Sequence, residues 1–339
     1  MSQRKIENGE VLASNLERSR LDLAPRVGET KVSYALIVAV GPGQIREALD
    51  SIDSFLYFCP PNCRIIAIDD HTEDGTYAAL LALKDPRLVI LRNTRPEKYA
   101  GLVHTIADGL AAALHSAELR LVLKTDTDAL MIGCGLFHDA QEFALANPTV
   151  GIFGRYAMNY DGSPKSFGNM PDVFRWQIHW KRRFVPGTRD FRNVVRRATS
   201  NGWTLGENVF GGGYFLSSEC ARSIASAGLL HTRSILRSCS AVIAEDAYMT
   251  MAAYAVGMRP GQFAHPKGPM GLAYDGLPAP PAVLRREGMK LIHTVDKGKF
   301  TPRCTESPHN PREFFSKLRA YGDFQVTEDP SNSFKAVAT

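Results

Sequence analysis

The stretch LVLKTDTDALMIG, Leu121–Gly133, runs apolar, sets two carboxylates one residue apart at Asp126 and Asp128, and turns apolar again. A short apolar run ending in acids reads as a buried strand that delivers both side chains to one rim. The same pattern recurs upstream. YALIVAV (Tyr34–Val40) is an apolar run closed by Gly-Pro-Gly, RIIAIDD (Arg64–Asp70) ends on two further acids, and RLVILRN (Arg87–Asn93) gives another strand. Between them, Ile45, Ala48, Leu49, Ile52, Phe55 and Leu56 repeat at three and four residues, as one face of a helix does. TYAALLAL reads as a short helix, and Leu102, Ile106, Leu110 and Leu114 mark the buried stripe of another from about Gly101 to His115.

Strand and helix thus alternate, and the strands are apolar throughout. This predicts an α/β, Rossmann-like, mostly parallel sheet with helices on both faces, in a single main domain. Ligands of such sheets sit beyond the carboxyl ends of the strands. Asp69, Asp70, Asp126 and Asp128 are therefore expected at one crevice. Carboxylates gathered there repel unless a cation sits between them, and a hard divalent ion, Mn²⁺ or Mg²⁺, is the economical solution.

At 339 residues and 44% hydrophobic content the chain can bury a sizeable core. The first thirty residues lack sustained periodicity and read as a tail or a lone surface helix. No apolar run resembles a signal peptide or approaches the roughly 18 residues of a membrane span, so a cytoplasmic protein is the expectation. Six scattered cysteines read as reduced thiols, and a net charge of +5 is too mild to imply nucleic acid.

IIAIDDHTEDGT (Ile65–Thr76), followed some fifty residues later by LVLKTDTDALM, resembles the nucleotide-sugar-binding half of GT-A glycosyltransferases, within the nucleotide-diphospho-sugar transferase superfamily, especially the family-2 group. YAGLVHTIADGLAAA (Tyr99–Ala113) is similar to that family's Gly/Ala/Asn helix, although Asp108 stands where Asn is usual. The resemblance covers Tyr34 to Gly133 well. Further on, NVFGGGYFLSSECARSIASAG is similar to the glycine-rich turn and helix that shape the sugar pocket, IAEDAYMTMAAYAVGM to the Glu-Asp helix start, and LIHTVDKGK to the segment supplying a metal-binding histidine.

The resemblance implies a metal-dependent glycosyltransferase of hexosyl or N-acetylhexosaminyl type, moving a sugar from a UDP-sugar to an acceptor hydroxyl. Asp69 and Asp70 would hold the uracil and ribose side, with Asp126, Gly212 and Gly213 also on the donor. Asp126, Asp128 and His293 would take the metal, with His265 in reserve. Asp246 would be the general base of an inverting reaction, and Glu245 would orient it. Each residue also has a plainer reading. Asp69 and Asp70 suit an Asx turn, Glu245 and Asp246 a helix N-terminus, and Gly211–Gly213 a flexible turn.

HPKGPMGLAYDGLPAPP (His265–Pro281) reads as a mobile loop that could carry His293 onto the metal, with Lys297 and Lys299 reaching the diphosphate. The division expected is a tail over 1–30, the nucleotide-sugar and acceptor domain over 31–265, and the loop with a C-terminal extension over 266–339. A basic, aromatic insertion at about 172–203 reads as a solvated helical segment, as an acceptor platform, or as a peripheral contact with an anionic membrane, which suits a saccharide or lipid-linked acceptor. The rival functions are a sugar nucleotidyltransferase, for which AVGPGQIRE would be the phosphate loop, and a catalytically silent carbohydrate-binding module.

Overall fold

The computed structural model describes residues 16–18, 31–98, 101–237, 239, 242–274, 276–295 and 311–321. In chain order its elements are β1 (Leu16–Arg18), β2 (Tyr34–Val40), α1 (Ile45–Phe58), β3 (Cys63–Asp69), α2 (Thr76–Ala82), β4 (Leu88–Asn93), α3 (Leu102–Ala113), β5 (Leu121–Thr125), β6 (Ala129–Met131), α4 (Leu136–Ala146) and β7 (Val150–Gly154). There follow α5 (Met170–Gln177), α6 (Thr188–Ser200), β8 (Gly213–Ser217), α7 (Ser218–Ser226), α8 (Thr232–Ile235), α9 (Glu245–Ala255), β9 (Arg259–Gln262), β10 (Met270–Leu272), α10 (Pro281–Arg286), β11 (Leu291–His293) and α11 (Pro311–Tyr321).

The main sheet has eight strands in the order β1-β4-β3-β2-β5-β8-β7-β9. Strands β2 to β5 are mutually parallel, with Val38 opposite both Ala67 and Thr125, while β8 runs antiparallel to β5 and β7. Alternation along β2 divides the core. Ala35 and Ile37 face the layer holding Val103, Ile106 and Leu110 of α3, whereas Leu36, Val38 and Val40 face the layer holding Ala48, Ile52 and Phe55 of α1. The chain leaves β2 by α1 to reach β3 on one side, and later returns by α3 to β5 on the other. The strand order therefore reverses at β2/β5, where such sheets open a crevice beyond the strand ends.

A second sheet, β10-β11-β6, has β11 parallel to β10 and antiparallel to β6. Here the structure departs from the sequence reading. Met270–Leu272 forms a strand within His265–Pro281 and Pro281–Arg286 a helix at its end, and His293, which follows that stretch, lies in a fully paired, buried strand. Three-residue strands carry no periodicity to read, and their partners lie far away in sequence.

Residues 16–18 also differ from a tail or lone helix, since they pair antiparallel with β4. Lys297, Lys299 and Cys304 lie outside the described residues. Among the described residues none of the five cysteines forms a disulfide, and no helix is long and apolar enough to cross a membrane.

Helix α3 lies close on the sheet because Gly109 has no side chain. A Cβ there would meet Ile68 at 2.6 Å and Ile37 at 2.8 Å. Gly109→Val is expected to lower stability by about 1–3 kcal/mol through overpacking, read as a lower denaturant midpoint.

Candidate active site

A cavity of about 650 Å³ opens at the β2/β5 reversal. Its described lining includes six carboxylates, Glu47, Asp70, Asp126, Asp128, Glu245 and Asp246, together with His293. Among those lining residues Lys98 is the only lysine or arginine.

Strand register assembles one wall. Asp128 directly precedes β6, and antiparallel pairing sets His293 of β11 opposite Ala129. Beyond that pair the Val295 amide donates to the Asp128 carbonyl at 2.9 Å, and the Thr294 hydroxyl donates to the Asp128 carboxylate. His293 Nε2 lies 2.9 Å from Asp128 Oδ1 and 3.7 Å from Asp126 Oδ2. Its Nδ1 lies 2.9 Å from the Ala273 carbonyl, which requires a proton on Nδ1 and leaves Nε2 toward the acids. One ligand atom from each of Asp126, Asp128 and His293 lies within 4.8 Å of the others. Burial opposes ionisation of Asp128, but the His293 hydrogen bond and charge and the Thr294 hydroxyl hold its carboxyl down at about 2.

The opposite wall is built on Lys124, to which the sequence reading gave no role. This side chain is 1% exposed, and its Nζ donates to Asp126 Oδ1 at 2.6 Å, the Gly211 carbonyl at 2.7 Å and Glu245 Oε1 at 2.7 Å. Burial alone would strip its proton; Asp126 and Glu245 more than offset that, so the ammonium is held charged. Its signal was present in the sequence. A lysine inside an apolar strand, two residues before Asp126 and hence on the same face, must find acidic partners.

Glu245 and Asp246 open α9. Burial pushes the Glu245 carboxyl up to about 7 against the pull of Lys124, and Asp246 and Asp126 add to the rise. Asp246 is half-buried on the cavity wall; burial raises its carboxyl too, against Lys165 and Lys124. Lys165 donates to the Asn208 carbonyl and to Asn208 Oδ1, both at 2.6 Å, and burial lowers its ammonium to about 7 despite facing Asp246.

The glycine run has three separate reasons. A Cβ on Gly211 would lie 2.8 Å from Glu245 Oε1 and 3.2 Å from Asp246 Oδ2, and one on Gly212 would lie 2.5 Å from His293 Nδ1. Gly213 opens β8 against Met270, Leu272 and Leu291 and does not line the cavity. The close approach these glycines permit in the fold is to the protein's own carboxylates and imidazole.

The two acids after β3 part company. Asp69 is fully buried away from the cavity, accepting from the Thr72 amide at 3.1 Å and hydroxyl at 2.5 Å and pairing with Arg92 at 3.1 Å. Asp70 lines the cavity, and its carboxylate accepts from Asn93 Nδ2 and from the amides of Glu97 and Lys98, each at 2.8 Å. His265 is exposed on a turn and stands outside the cavity lining.

No family model matches the chain, and no curated protein matches it. Among solved structures it is similar to the mannosyltransferase PcManGT from Pyrobaculum calidifontis in complex with GDP-Man and Mn²⁺, at 17% identity and a TM-score of 0.41, over 81% of this chain. The similarity spans 60% of that protein's length.

Lys124→Met leaves Glu245 and Asp126 facing each other uncompensated. It is expected to cost about 3–5 kcal/mol of unfolding free energy. Lys124→Met combined with Glu245→Gln is expected to cost less than the sum of the two single variants, as measured by chemical denaturation.

Proposed function

We propose that this protein is a metal-dependent glycosyltransferase of the GT-A type, transferring a sugar from a nucleoside-diphosphate donor, UDP-linked by the family resemblance, to an acceptor hydroxyl. The observation that carries the reading is the six-carboxylate cavity with Asp126, Asp128 and His293 converging on one wall and Asp246 on the other. Carboxylates as close as those of Asp126 and Asp128 repel a diphosphate unless a cation enters with it. Two carboxylates and an imidazole whose Nδ1 proton is engaged by a carbonyl are a donor set suited to Mn²⁺ or Mg²⁺. When bound, such an ion supplies positive charge against the developing charge of the leaving diphosphate.

The remaining steps belong to this chain's residues. Asp126, Asp128 and His293 would hold the ion, and with it the donor's diphosphate end, at the β5 terminus, and Gly211 and Gly212 keep the facing wall low. Asp246 takes the proton of the acceptor hydroxyl as the new carbon–oxygen bond forms, while the anomeric carbon–oxygen bond to phosphate breaks and its electron pair leaves with the diphosphate. A carboxylate raised by burial is a better base for this than an exposed one. A single base opposite the leaving group gives inversion. Glu245 serves through Lys124, which keeps the start of α9 in register with the end of β5.

The glycine loop favours this reading over nucleotidyl transfer. The Gly41 amide donates to Gln44 Oε1 at 3.0 Å and the Gly43 amide to Asp74 Oδ2 at 2.6 Å, so both are satisfied internally. A loop that wraps a triphosphate needs such amides for its ligand.

Thermal shift separates the possibilities. Mn²⁺ with UDP is expected to raise the melting temperature, and Asp128→Asn to abolish that rise. Stabilisation by UTP with a sugar phosphate alone would transfer the protein to the nucleotidyltransferases, and GDP in place of UDP tests the donor base. Asp246→Asn is expected to keep the UDP shift and lose about 10²–10⁴-fold in transfer rate. Transfer at the original rate removes Asp246 as base.

A further inference from the structure

Away from the cavity, α5 and the turn after it present large apolar side chains to solvent. Trp176 is 51% exposed, Trp180 61% and Phe184 82%. Phe184 is the most exposed large hydrophobic among the described residues, and the three rings fall within nine positions, whereas exposed aliphatic residues such as Leu81 and Leu145 stand singly. Scattered single residues need no explanation, but a cluster of this kind marks a contact surface.

The platform beneath the rings is built. Phe174 is buried, stacks on Phe191 of α6 at 5.8 Å and meets the edge of Trp203 at 4.9 Å. Helix α6 buries Phe191, Val194, Val195 and Ala198 toward α9. Arg192 ties the turn to α6 by donating to the carbonyls of Ile178 at 3.1 Å and His179 at 2.5 Å. The exposed rings therefore stand on packed structure.

Cations accompany them. The guanidinium of Arg182 lies 5.8 Å from the Trp176 ring, and that of Arg183 lies 5.7 Å from Trp180 and 4.7 Å from Phe184. Lys181 and Arg189 are exposed alongside, and Asp190 is the only acid from residue 180 to 190. We propose that this face, centred on Trp176, Trp180, Lys181, Arg183 and Phe184, docks onto an anionic lipid bilayer. Tryptophan settles at the level of headgroups, cations there meet lipid phosphates, and a projecting phenylalanine gains by entering the acyl boundary. A phosphate backbone offers Phe184 no comparable apolar destination.

The patch is joined to the candidate site by structure. Just before α5, Lys165 is bonded to Asn208, and Gly206 packs on Pro171 so closely that a Cβ would lie 2.4 Å from the Pro171 nitrogen. Asn208 lies two residues before Phe210 of the cavity wall. Docking would thus hold the cavity near membrane-borne acceptors, although the docking itself stands whether or not the chain transfers sugar.

The test uses the full chain with neutral phosphatidylcholine vesicles and with vesicles containing phosphatidylglycerol, read by sedimentation and tryptophan emission. The chain has three tryptophans, and Trp203 is only 3% exposed, so a blue shift reports Trp176 and Trp180. Binding is expected to the anionic vesicles and to weaken at about 0.5 M salt. Lys181→Glu with Arg183→Glu is expected to reduce partition by about 25-fold or more. Trp180→Ser with Phe184→Ser should bind more weakly and shift less, with unchanged circular dichroism because both side chains are exposed. Equal binding to neutral and anionic vesicles overturns the proposal, as does unaltered binding by both double variants. Retention on single-stranded RNA with no vesicle binding would assign the face to nucleic acid and overturn it equally.

Discussion

The ammonium of Lys124 is the constraint on which the site's architecture rests. An ion so fully removed from water is tolerated only with all its donors engaged. Here the three acceptors come from three places in the chain, the end of β5, the Gly211 turn and the start of α9. The same contact keeps Asp126 and Glu245 from repelling each other and sets their spacing. One oxygen of Asp126 is thereby given to the scaffold, and the other faces His293. Gly211 is forced by the same crowding, because its backbone is pressed between the lysine and the two acids that open α9.

A second constraint is register. The small sheet gives Asp128 its position by main-chain pairing on both sides, through Ala129 opposite His293 and the Val295 amide on the Asp128 carbonyl. Side chains then complete what the backbone has aligned, with Thr294 and His293 both on the Asp128 carboxylate. The cavity is a meeting of two sheets: the large one supplies the floor and its strand ends, and the small one supplies the histidine. Such preorganisation keeps carboxylates close together without an internal rearrangement when a cationic ligand arrives.

Much of this was legible in the chain, and the parts that were not have physical causes. Continuous apolar runs and three-four spacing located β2 to β5, α1 and α3, and with them the crevice, because those signals are local. The strands around His293 were invisible, since three residues pair only by virtue of distant partners. Asp69 and Asp70 were expected side by side in the crevice, yet adjacent residues at a strand end project to opposite sides. One acid therefore closes the turn with Thr72 and Arg92, and the other faces the cavity. Asp74 and Gly75 make the turn into α2, with Asp74 bonded to Thr76 and Gly75 at φ 91°. Lys124 and Asp69 were both readable by that alternation.

The contact between Thr294 and Asp128 spans 166 positions of the chain. Loop closure of that length adds little to the equilibrium cost but defers the contact in time. While the protein is being synthesised, everything through β9 can collapse into a sheet and its covering helices with the acidic rim still lacking its imidazole. The centre becomes whole only when residues beyond 290 have left the ribosome and slid between β6 and β10. A nascent chain therefore carries Asp128 without its Thr294 partner until 166 further residues have been made.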